Sequence, residues 1–211
     1  MNTMKAFLLI AASAIAMTSG PGARAQVAAW EFAAPGNSFS NGSWNFGANF
    51  TTTQAFTVTA LGFYNDASLG IDTSYGNPVA LYTSTGGLLA QATVVASDPQ
   101  IGNFVYAPIT PIVLAAGSYQ IDGVSNNSNY TWNDPGFATA PGVIYDGNTW
   151  TPVNLGDPPA FQNYVQNDVT DGYWGPNLLL TPYAPGPVPG AGLAGLAALA
   201  LAGLYERTRR A

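Results

Sequence analysis

The stretch "AFTVTALGFY", Ala55–Tyr64, decides the fold class. Phe56, Val58 and Ala60 alternate with Thr57 and Thr59, the period of a strand with one apolar face. The apolar phase then jumps to Leu61 and Phe63. That jump predicts a β-bulge, or a passage to burial on both faces.

Working outward, the same period recurs in short runs separated by Gly, Asn, Pro and Asp. "GANFTT", Gly47–Thr52, is a strand upstream. "PVALYTSTGGLLAQATVV", Pro78–Val95, reads as a hairpin. In it Val79 and Leu81 share a face, the turn falls at Thr85-Gly86-Gly87, and Leu88, Ala90, Ala92 and Val94 line one face of the return strand. "FVYAPITPIVL", Phe104–Leu114, holds two prolines that cannot donate to a ladder. It is expected as an edge strand or as two strands with a break. "GSYQIDGV", Gly117–Val124, points Tyr119 and Ile121 inward and Gln120 and Asp122 outward. "GVIYDG" (Gly142–Gly147) and "GPNLLLTPY" (Gly175–Tyr183) add two more strands. Regular strands without helices between them predict an all-β fold, an antiparallel β-sandwich of jelly-roll type spanning 26–182.

Charge is placed as unevenly as the apolar period is regular. The chain has 211 residues, 5 of them Lys or Arg, and a net charge of −6. Lys5 and Arg24 stand near the start; Arg207, Arg209 and Arg210 stand at the end. Between Gln26 and Glu206 there is no Lys, Arg or His, while of the 11 acids only Glu206 falls outside that stretch. A domain with only negative side chains repels polyanions, which excludes nucleic-acid binding by phosphate neutralisation. It equally excludes docking on an anionic membrane through a basic patch. The chain has no cysteine, hence no disulfide and no thiolate metal site.

Both ends read as targeting elements. Lys5, the apolar run Ala6–Met17 and the small residues Ala23 and Ala25 match a secretory signal peptide over 1–25, cleaved after Ala25 by signal peptidase. The Pro/Gly linker at 183–190 precedes a stretch, Ala191–Leu204, built only of Ala, Gly and Leu. As a helix it spans roughly 21 Å, against ~30 Å of hydrocarbon, a marginal transmembrane helix within 191–211. The terminal arginines anchor it on the cytoplasmic side.

Pro185-Gly186-Pro187, read with Val188-Pro189, then the Ala/Gly/Leu helix, then Arg207, Arg209 and Arg210, resembles the PEP-CTERM sorting tail of Gram-negative exported proteins. Gly186 stands where that family's motif has Glu. The resemblance implies a transient inner-membrane anchor, processing by an integral-membrane exosortase at the Pro-rich motif, and delivery to the cell surface or extracellular matrix. The middle, in "GANFTTTQAFTVTALGFYN", "VALYTSTGGLLAQATV" and "ITPIVLAAGSYQIDG", resembles an uncharacterised β-sandwich domain of exported bacterial proteins, from about Gly47 to Gly123. "GYWGPNLLL", Gly172–Leu180, is similar to a phrase that commonly precedes such tails. This likeness implies the fold and no particular activity.

Chemistry-bearing residues concentrate between Asn126 and Asn177, where the strand pattern loosens. Without His, Cys or Lys in the domain, the common nucleophile–base pairs cannot be assembled. A carboxylate dyad drawn from Glu31, Asp134, Asp146, Asp157, Asp168 and Asp171 is the one catalytic arrangement open. Turn positions explain these acids equally well, so no catalytic residue is assigned and the chain is expected not to be an enzyme. Trp132, Trp150 and Trp174 are candidate stacking platforms for the rings of an extracellular polysaccharide. No cofactor is required, but Asp146 ("YDGN") with Asp168 and Asp171 ("NDVTDG") could supply oxygen ligands for Ca2+. The expectation is a secreted, noncatalytic structural or adhesive protein of the envelope or matrix. The alternative is a carbohydrate-binding module with a calcium site.

Overall fold

The computed structural model describes residues 25–165 and 172–183. The predicted signal helix with Ala23, the linker and sorting motif, the terminal helix with its arginines, and Asp168 and Asp171 lie outside the described residues. Among the described residues there is no helix, and every strand pairing is antiparallel.

Three short strands open the domain: β1 (Val27–Ala28), β2 (Trp30–Glu31) and β3 (Asn37–Phe39). The long strands follow: β4 (Trp44–Thr52), β5 (Phe56–Tyr64), β6 (Asn77–Thr83), β7 (Leu88–Val94), the short β8 (Gln100–Ile101), β9 (Phe104–Leu114) and β10 (Gly117–Val124). Then come β11 (Tyr130–Trp132), β12 (Ala138–Thr139), β13 (Val143–Pro152) and β14 (Pro176–Pro182). They form two five-stranded sheets, ordered β1-β14-β5-β9-β8 and β13-β4-β10-β6-β7, plus the small pairs β11-β3 and β12-β2. Three pairings nest: β6 with β7, β5 with β9 around them, and β4 with β10 outermost, on alternating sheets.

The phase jump in "AFTVTALGFY" has two structural causes. Thr59 is skipped in the pairings of β5 with both β9 and β14, a bulge on each side. Past it, Ala60–Tyr64 are all buried, because both faces are covered: Leu61 and Phe63 join the core, Tyr64 packs on Phe32 and Phe104, and Gly62 lies against Tyr106. The matching irregularity in β9 carries its prolines: Val58 pairs Ile112 and Ala60 pairs Pro108, so residues 109–111 bulge out, with Pro108 just before the bulge and Pro111 its last residue. β9 nonetheless runs on as one strand, next to an outer neighbour only two residues long. Side chains from both sheets, among them Phe50, Val58, Leu61, Phe63, Leu81, Ile121 and Leu178, join in one apolar cluster. Each such side chain contributes about 1.5–3 kcal/mol on burial.

Two expectations are corrected. Leu88 does not share the inner face with Ala90, Ala92 and Val94. A bulge pairs Tyr82 directly with Leu88 after Leu81 with Ala90, and turns Leu88 out to 54% exposure. The turn itself sits where expected, with Gly86 at φ 88°, a conformation glycine adopts without strain. Gln120 and Asp122 do point away from the core, yet they are 1% and 0% exposed rather than solvated. Residues 153–165, after β13, cross that outer face as a strap. Asn45 donates to the Ala160 carbonyl (2.7 Å), Tyr82 to that of Pro159 (2.9 Å) and Gln120 to that of Gln162 (3.0 Å).

Candidate functional site

An aromatic cleft of about 260 Å³ opens where β4, β11 and β13 meet. Strand alternation builds it. On β4, Trp44 and Phe46 share a face, and β13 places Trp150 opposite Phe46 in the ladder. β11 contributes Tyr130 and Trp132, and β3 sets Phe39 against Tyr130 at 4.7 Å between ring centres. Tyr173 arrives from the approach to β14.

The rings hold one another. Trp44 meets Trp150 edge-on at 5.3 Å, and Tyr173 lies 6.3 Å from Trp150 and 6.4 Å from Trp132. Phe46 forms the floor, 2% exposed, 4.5 Å from Tyr130 and 6.1 Å from Tyr173. Edge-on and tilted pairs of this kind add about 0.5–1.5 kcal/mol each beyond burial. The walls are therefore fixed before any ligand arrives.

Polar groups in the cleft are few. The Asn41 Oδ1 accepts from Trp44 Nε1 (2.7 Å) and from the Tyr130 hydroxyl (3.0 Å), which leaves its Nδ2 to donate at the rim. Trp132 Nε1 is buried and has no hydrogen-bond partner. Burial, with Tyr173 beside it, pushes the Tyr130 phenol up to about 12, so it stays neutral. Among the described residues, no acid and no cation lines the cleft. Flat apolar faces, a few neutral donors and no charge suit the C–H face and hydroxyls of an uncharged sugar ring.

Of the three predicted tryptophans, Trp132 and Trp150 line this cleft and Trp174 does not. Trp174 is 1% exposed and stacks on Phe137 at 4.6 Å inside the core. Its backbone bridges Thr131 in both directions (2.8 and 3.3 Å). Neighbours on an extended chain point to opposite sides, so the bridge that sends Tyr173 into the cleft sends Trp174 inward. Trp44, Phe46 and Asn41 stand outside the residues the sequence nominates. The legible signal was the alternation Trp44, Phe46, Ala48, Phe50 in "SWNFGANF".

The described acids are engaged elsewhere. Asp146 is exposed on β13 and accepts from Thr51 Oγ1 (2.6 Å). Asp157 caps the turn at Asn154 (2.8 Å), and Glu31 accepts from Asn103 Nδ2 (2.7 Å). Asp134, 5% exposed, accepts from Gly36 N (2.5 Å) and Thr131 Oγ1 (2.6 Å), while burial raises its pKa. Among the described residues no three acids or histidines gather into a metal-holding group.

A scan against protein-family models finds no match for this chain, and a search of curated proteins finds none either.

Proposed function

We propose that this chain is an exported, noncatalytic β-sandwich protein, wound in jelly-roll fashion, that binds a neutral polysaccharide at the cell surface or in the extracellular matrix. The observation that carries the reading is the aromatic cleft walled by Trp44, Trp132, Trp150 and Tyr173, with no charged side chain among its described lining residues. The nested strand pairing supports the jelly-roll winding. The two ends of the sequence support the route: signal peptidase at Ala25, then a PEP-CTERM-type tail handled by an exosortase-type membrane enzyme. The adhesive role follows from combining the two, an aromatic sugar platform on a protein delivered outside the cell.

A glycan array probed with the full-length chain tests the binding, followed by titration of each hit. Trp150→Ala and Trp132→Ala are expected to weaken a neutral-glycan hit at least tenfold, while Trp174→Phe leaves it unchanged. Binding indifferent to Trp150 and Trp132, or confined to anionic polymers, defeats the reading. Fractionation of cells expressing intact and tail-deleted chains tests the route, and equal surface delivery of the two removes the sorting claim.

A further inference from the structure

The outer face of the second sheet holds a group that sugar binding does not use. Asp122 on β10 is fully buried beneath the strap. Its Oδ1 accepts one hydrogen bond, from Gln162 Nε2 at 2.9 Å, and its Oδ2 has no partner. There is no room on the sheet side for more. Gly47 lies directly opposite, and a β-carbon there would stand 2.5 Å from Asp122 Oδ1 and collide with Thr149 Oγ1. Any water that solvates this carboxyl must come from the strap side.

Gln162 links that carboxyl to the cleft. Its Nε2 also donates to the Asn45 carbonyl (3.1 Å), next in the chain to Trp44. Its Oε1 accepts from Thr151 Oγ1 (2.7 Å), next in the chain to Trp150. The Tyr164 hydroxyl, 3.1 Å from the same Oε1, donates to the carbonyl of Trp150 itself. Gln162 thus touches the buried acid, the backbone beside Trp44 and the side chain of Thr151 beside Trp150, while Tyr164 holds the Trp150 carbonyl.

We propose that the strap is a pH-operated latch on the aromatic cleft: protonated Asp122 keeps it seated, and ionised Asp122 lifts it and loosens Trp44 and Trp150.

Among the described residues, nothing near Asp122 can neutralise an ionised carboxylate. The titratable groups facing it among the described residues are Tyr82 from β6 and, through Gln162, Tyr164 from the strap, both phenols. Asp146 on β13 is held by Thr51, and Asp157 in the strap is held by Asn154. The domain has no Lys, Arg or His between Gln26 and Tyr183. An unpaired buried charge is relieved only by hydration, and here hydration requires the strap to rise. Burial accordingly pushes the Asp122 carboxyl up to about 8.

The effect on affinity rests on the glycan reading; the latch does not, and it is read without ligand. Hydrogen exchange of residues 153–165 in the ligand-free, full-length chain, corrected for intrinsic base catalysis, is followed from pH 6 to 9.5. In the wild type, exchange is expected to rise at least tenfold in a sigmoid centred near pH 8, together with a change in tryptophan emission. Asp122→Asn should remove the sigmoid and leave the strap protected, whereas Gln162→Leu should exchange fast at every pH. Wild-type strap exchange that is flat across this range, or a sigmoid that Asp122→Asn retains, overturns the latch even if glycan binding is confirmed. Strap opening with unchanged affinity for a confirmed glycan overturns its coupling to the cleft. A sigmoid with no glycan bound at any pH leaves the latch standing and counts against the proposed ligand alone.

Discussion

At the turn after β5, the Asp72 carboxylate accepts four hydrogen bonds, from Ser74 N, Tyr75 N, and Asn127 N and Nδ2. Under the strap, Asp122 accepts one. Both residues are buried, at 8% and 0% exposure, and burial alone raises either pKa. At Asp72 the donors outweigh that cost and the pKa is lowered. The same holds at Asp66, lowered to about 2 by donors from Ser38, Ser68 and Leu69 despite its own desolvation. At Asp122 one amide does not outweigh it. Depth of burial and the number of donors aimed at a carboxyl together set its charge.

The comparison predicts opposite pH slopes. Between the ordinary carboxylate range and about pH 8, the folded chain keeps a proton on Asp122 that the unfolded chain has released. Stability therefore falls as pH rises through that window. Below the ordinary range, Asp66 and Asp72 stay ionised in the folded chain while the unfolded chain takes up protons, so stability falls as pH drops.

The largest effect is expected from Asp122→Asn. It should stabilise the domain by about 3 kcal/mol at pH 9 and leave it unchanged at pH 4, read by denaturant unfolding at both values. The slope that survives belongs to Asp134, which burial also raises. A variant no more stable than wild type at pH 9 breaks the contrast. Asp72→Ala comes next, a loss of about 2 kcal/mol at pH 7 that shrinks as pH drops below the carboxylate range. A loss that stays constant with pH means that the wild-type carboxylate was not favoured by its donors. The smallest is Ser68→Ala, which strips Asp66 of one side-chain donor and keeps the backbone ones. It should cost about 1 kcal/mol and raise the Asp66 pKa toward its ordinary value, followed by carboxyl NMR titration. An unmoved titration shows that the backbone donors suffice.

Much of the fold was legible because strand alternation is a local property. The hairpin around Gly86, the phase jump at Leu61 and the outward aim of Gln120 and Asp122 all follow from period two and turn chemistry. Leu88 departs from the face that period two assigns it because a one-residue bulge reverses every side chain beyond it, and no residue in "TGGLLAQ" announces the bulge. The cleft was half legible. Trp132 and Trp150 were recognisable as candidates, but Trp174 has the same composition around it and faces the core. Its direction depends on a bridge to Thr131, distant in sequence.

Sequence by itself determined that this domain is all-β, and that it carries acids with no cation to answer them. Those properties reside in residue type and spacing and survive any packing of the strands. Only the tertiary structure decided which tryptophans face a cleft and which acid lies under a strap. Both depend on contacts between segments far apart in the chain, where the donors that reach a carboxyl, or the rings that close a wall, are supplied by partners that local pattern does not name.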